Sequence, residues 1–208
     1  MSDSINLPLI LGAAFLAAGS PGPATLTIAG TSMASGRRAG LALASGVSTG
    51  SLIWSVAAAF GLGAIMLANM WAFEIIRYAG AAYLMWLAVK SARAAWYGSK
   101  LDSLELAHTT PPRAYTKGLA LHLTNPKAVL FFGALYSIGV PPGTEVTALL
   151  TVIIAVAVQS FVMFHAYALI FSSATMTAAY TRMKRGFETV FAVAFGAASL
   201  SILTARLE

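Results

Sequence analysis

The 208-residue chain has no cysteine, and only 10% of its residues are charged. Without cysteine there can be no disulfide framework, thiolate zinc site, iron–sulfur cluster or cysteine nucleophile. No Gly-rich phosphate loop and no cluster of metal-ligating side chains occurs, so neither bound ATP nor a metal is indicated, and no cofactor is expected. The scarcity of charge excludes most soluble folds, in which about 25% of residues are charged. Apolar residues make up 58% of the chain, and the mean hydropathy is +0.77. Too little charge remains to coat a water-facing shell, so the expected solvent is lipid.

A hydrocarbon core of about 30 Å needs roughly 20 helical residues. That length predicts six spans, at about 7–31, 41–67, 72–95, 117–139, 146–171 and 187–205, with a polar connection at about 96–116. The expected fold is a single all-α transmembrane domain of two three-helix repeats, about 5–95 and 117–208. The first apolar stretch reads as a span rather than a cleaved leader, because its start carries Asp3 and no Lys or Arg.

The net charge of +6 would suit nucleic acid, but its placement points elsewhere. Arg37, Arg38, Lys90, Arg93, Lys100, Arg113, Lys117, Arg182, Lys184 and Arg185 account for ten of the thirteen basic residues, all in joints on one side. The opposite joints, 68–71 and 140–145, have no Lys or Arg. The positive-inside rule therefore places those ten in the cytoplasm and both termini outside, with the bilayer and no nucleic acid as partner. Three spans per half put the second half in the opposite orientation to the first, which permits an inverted repeat. Trp71 at one boundary, and Trp96, Tyr97 and Tyr115 at the other, fit interfacial belts or buried packing equally.

Two spans are interrupted. Ser20-Pro21-Gly22-Pro23 breaks the first, since its prolines remove backbone donors and obstruct preceding carbonyls. Thr124-Asn125-Pro126-Lys127 interrupts the fourth with the N-cap and N1 pattern of a restarting helix. Both restarts fall at membrane depth, where non-helical backbone must line protein or water. They run in opposite directions from the midplane, so two helix N-termini face one region and favour an anion such as a carboxylate.

Lys127 follows the second restart, and three roles are open to it: holding a substrate carboxylate, carrying a coupling proton, or snorkelling to the cytoplasmic interface. Asn125 caps, contacts substrate, or both. Ser20, Ser51, His122, Gln159 and Ser160 are further candidates for lining the cavity, although residues such as His122, His165 and Gln159 are more often satisfied packing residues than ligands. Glu74 with Arg77, and Arg185 with Glu188, read as ion pairs at the membrane edges without a further role. No residue pattern sets a base against a serine nucleophile. Gly46 and Gly50, like Ala192 and Gly196, form small-residue stripes that let helices approach closely; the partner could be another span or another subunit.

Four segments carry a family resemblance: Pro21-Gly22-Pro23, Gly36-Arg37-Arg38-Ala39-Gly40, the run Ala72-Phe73-Glu74 to Tyr78 and Leu87, and Leu123-Thr-Asn-Pro-Lys-Ala-Val-Leu-Phe-Phe132. Together they resemble the LysE/RhtB family of amino-acid exporters over nearly the whole chain. The resemblance implies a bacterial inner-membrane protein exporting amino acids or close derivatives, driven by the proton-motive force. Pro21, Gly22, Pro23, Asn125, Pro126 and Lys127 match the two family signatures and are its implied substrate-binding residues. Many relatives carry acidic residues where this chain has Ser51 and Ser160, so a neutral or acidic amino acid suits it better than a cationic one. A homo-oligomer is compatible with this reading. The rivals from other classes are a non-transporting membrane scaffold or subunit, an intramembrane hydrolase and a passive channel.

Overall fold

Proline and small polar residues set where the helices begin. The computed structural model describes residues 5–68, 70–97, 108–141 and 143–204. Seven helices run through them: α1 (Leu7–Gly19), α2 (Pro23–Ala68), α3 (Met70–Tyr97), α4 (Pro111–Leu123), α5 (Pro126–Gly139), α6 (Val146–Ile170) and α7 (Ala174–Thr204). No strand occurs among the described residues. Asn6 caps α1 by accepting from the Leu9 amide at 3.1 Å, and α2, α4 and α5 each begin on a proline, whose missing N–H costs nothing in a first turn.

Several joints are shorter than the charge pattern suggests. The Ser35–Gly40 joint contracts to one residue, Gly36, with φ 79° and ψ 177°, and the helix resumes immediately after it. That backbone conformation has positive φ, which glycine adopts without a Cβ clash. The expected joint at 181–186 is helical throughout, and the turn lies instead at Phe171–Ser173. α4 likewise starts at Pro111, inside the expected connection. A charged residue marks where lipid ends, whereas a helix continues into water as readily as in lipid.

Two helical stretches, Pro23–Gly61 and Val146–Ile170, are long and apolar enough on their own to cross a bilayer. The outer face of α6 supports that environment. Val146, Leu150, Ile154 and Val158 recur every four residues, and all are more than a third exposed. A ridge of this kind is stable against acyl chains and a liability in water. Trp71, Trp96 and Tyr97 are also strongly exposed. Tyr115 is instead half-buried and donates to the Thr49 hydroxyl at 3.1 Å, so it serves packing rather than a belt.

The most extensive packing joins α2 to α4 and α6, and α3 to α7. Glycine makes the α2–α4 approach possible. A Cβ at Gly46 would collide with the carbonyl of Tyr115, one at Gly118 with the carbonyl of Leu43, and one at Gly50 would sit 2.9 Å from His122 Cβ. The Gly46/Gly50 stripe is thus filled by α4 of the same chain. Gly196 faces Ala88 of α3, and Ser199 bonds the Ala81 carbonyl of α3 at 2.9 Å. Two apolar clusters result. One is built on Ile10, Leu84, Phe132, Leu135, Val152 and Phe195, the other on Ile28, Leu43, Val47, Phe164 and Ala168.

Candidate functional site

A cavity lies at the two helix breaks, its walls drawn from both apolar clusters. Its polar lining is Ser20, Gly22, Thr25, Ser51, His122, Asn125, Lys127 and Ser160; Phe131, Phe132, Val156 and Phe164 supply the apolar wall. The free volume is about 50 Å³, enough to hold a few waters.

The chain leaves α1 with the Ser20 amide donating to the Leu16 carbonyl at 2.9 Å. At the α2 restart the Gly22 amide donates to Thr25 Oγ1 at 2.9 Å, one half of a capping box with threonine at the third helical position. Gly22 has no side-chain oxygen with which to cap the Ala24 and Thr25 amides, which sit at the positive end of the α2 dipole. The α5 restart differs. Asn125 Oδ1 accepts from the Lys127 amide at 3.0 Å, and the Asn125 carbonyl accepts from Ala128 and Val129. Of the two N-termini expected to cradle an anion, α2 therefore keeps its donors open while α5 is capped, and Asn125 offers its amide nitrogen instead.

Lys127 turns toward α1. Its Nζ donates to the carbonyls of Ala17 at 3.1 Å and Ser20 at 3.2 Å, and closely to Ser20 Oγ. The ammonium thus rests on the C-terminal end of α1, where the helix dipole favours a cation. It lies 3.2 Å from where a Cβ of Gly22 would stand. One side chain ties the first break to the second across 107 residues.

The remaining candidates divide. Ser51 donates to Ser160 at 3.1 Å, and both are buried. His122 lines the cavity and is 5% exposed. Gln159 instead donates to the Leu11 carbonyl at 2.8 Å, tying α6 to α1. Pro21, Pro23 and Pro126 are not among the lining residues; they shape the breaks. His165 is a packing residue that contacts Ser45 Oγ at 3.0 Å and the Phe161 carbonyl at 2.8 Å. The Ser45 hydroxyl also bonds the Leu41 carbonyl of its own helix, and the second ring nitrogen of His165 meets a backbone carbonyl where a hydrolase base would meet an acid.

Two residues near the site were not read from the sequence as part of it. Tyr167 donates to the Gly19 carbonyl at 2.5 Å and shares a side-chain hydrogen bond with Tyr180. Glu188, read above as an edge residue, is buried on α7. Phe191, one turn further, packs toward Gly19. Arg185 donates to the carbonyls of Ala95 and Trp96 at the end of α3. Glu188 is three residues from that cluster in sequence, and this nearness hides its burial. The Glu74 and Arg77 side chains lie outside the described residues.

The described residues, all-helical with a lipid-compatible exterior and a polar cavity at two broken helices, have the architecture of a membrane-embedded protein. Residues 15–206 match the family described as LysE type translocator, and the chain belongs to that family. It is 37% identical over 118 residues to a homoserine/homoserine lactone efflux protein of Salmonella typhimurium, a match covering 56% of this chain and only 56% of that relative. It is 25% identical to a threonine efflux protein of Escherichia coli over 90% of this chain and 92% of the relative. An uncharacterized membrane protein of Pseudomonas aeruginosa is 30% identical over 79% of this chain and 78% of its own length. No solved structure matches it significantly.

Proposed function

We propose that the protein is a secondary transporter that exports neutral amino acids across the bacterial inner membrane, driven by the proton-motive force. The observation that carries this reading is the Lys127 bridge between the two helix breaks, beside a cavity lined by Gly22, Asn125, Ser51 and Ser160. The names of the relatives, efflux proteins for homoserine and threonine, favour a small hydroxylated amino acid. In our reading the chain forms six spans in two inverted halves, with both termini periplasmic. Support comes from the meeting of Ser51 with Ser160, from the second and fifth spans, and from the packing of α3 on α7, the third and sixth.

The substrate carboxylate would sit against the Ala24 and Thr25 amides and the Asn125 side chain, and draw the Lys127 ammonium from the α1 carbonyls. Releasing α1 loosens the contact that joins the breaks, and the small cavity can widen to admit an amino acid. α2 packs most heavily on α4 and α6, and α3 on α7, so these two groups are the moving units rather than the two halves of the sequence. The scaffold alternative relied on small-residue stripes to hold a partner, and α4 and α3 of the same chain occupy the residues of those stripes described above.

The test is efflux from proteoliposomes loaded with labelled amino acids, with and without an imposed pH gradient. Gradient-stimulated efflux of threonine or homoserine is expected, reduced at least about tenfold in Lys127→Ala, the effect of about 1.4 kcal/mol. Equal efflux by wild type and Lys127→Ala would remove the role given to this lysine.

A further inference from the structure

His122 has an unusual environment for a buried imidazole. It is 5% exposed, it lines the cavity, and neither ring nitrogen has a hydrogen-bond partner in the protein. Its position is firmly set. The backbone carbonyl accepts from Trp54 Nε1 at 3.3 Å, the ring meets Phe164 edge-on at 5.9 Å between centroids, and Cβ fits against Gly50. A buried polar group without a partner is costly, and such groups are completed by water, an ion or a ligand.

An amino acid brings three polar parts to the cavity. The carboxylate belongs with Lys127 and the open α2 amides. The ammonium is disfavoured beside His122, because Lys127 lines the same cavity and a second cation there would be repelled. A side-chain hydroxyl is neutral and can either donate to the bare imidazole nitrogen or accept from the ring N–H. Resting on the transport reading above, we propose that His122 is the specificity-determining residue of the site, forming the hydrogen bond that distinguishes hydroxylated amino acids from their deoxy counterparts.

The decisive comparison uses 2-aminobutyrate, which is both threonine and homoserine without the hydroxyl. Transport of all three would be measured in proteoliposomes as kcat/KM. Wild type is expected to prefer the hydroxylated substrates by about tenfold or more, since a site built to bond a hydroxyl rejects the analogue lacking it. His122→Phe should bring that ratio close to one, and His122→Gln, which keeps a donor and an acceptor, should restore part of it. A second readout needs no variant: in wild-type protein labelled with ¹⁵N-histidine, threonine should shift the ring resonances of one histidine, and 2-aminobutyrate should leave them in place. Wild type that transports all three substrates equally overturns the role of His122 while leaving transport intact. Wild type that transports none of them overturns both. An unchanged preference in His122→Phe, or ring resonances unmoved by threonine, also overturns the assignment.

Discussion

At the scale of single residues, the two breaks are held by a few hydrogen bonds whose loss should be measurable. Asn125 caps α5 through its side-chain oxygen. Asn125→Ala should therefore lower stability by about 1 kcal/mol, whereas Asn125→Asp keeps the cap. Thermal unfolding of the purified protein in detergent would show this as a lower midpoint for alanine alone. Tyr167→Phe removes the hydroxyl that binds the Gly19 carbonyl, and a loss of about 1 kcal/mol is expected in the same assay. An unchanged midpoint would mean that water replaces the tyrosine at the end of α1. Asn125 was legible from sequence because asparagine before proline is a local signal. Tyr167 was not, because its partner lies 148 residues away.

At the scale of helices, the glycines separate by what surrounds them. Gly46 and Gly118 meet the backbone of the opposing helix, so Gly46→Leu or Gly118→Leu forces α2 and α4 apart and should abolish accumulation of folded protein. Gly12 is also helical, but a Cβ there meets nothing within 4 Å. Gly12→Ala should stabilise α1 by up to about 1 kcal/mol, from helix propensity alone. Expression and monodispersity in gel filtration separate these outcomes; a well-folded Gly46→Leu protein would contradict the close α2–α4 packing. The small-residue stripe was visible in the sequence, but its partner was not, because glycine spacing specifies a close approach and leaves its counterpart unspecified.

At the scale of the whole molecule, the charge distribution and the packing answer different questions. The absence of native cysteine makes topology accessible to single cysteines introduced at positions 108, 142 and 184. Membrane-impermeant thiol reagents added to intact cells should label position 142 and leave 108 and 184 unlabelled until the membrane is opened. Labelling of 184 from outside would overturn the six-span arrangement. The same approach at Thr25, which lines the cavity, should show labelling that substrate slows, consistent with a water-accessible site.

Composition, the placement of the basic residues and the two proline-marked breaks determined from the sequence alone that this is a helical membrane protein with two interrupted helices. These are local or summed properties: apolar content, loop charge and capping chemistry act through neighbours in the chain. Tertiary structure alone decided that Lys127 lies on the end of α1, that Gln159 anchors a helix outside the cavity lining, that Glu188 is buried, and that His122 enters the cavity with both ring nitrogens unpartnered. Each depends on which residues distant in sequence are brought within a few ångströms. No short-range pattern specifies such a pairing, because it follows from how glycine-lined helices close on one another.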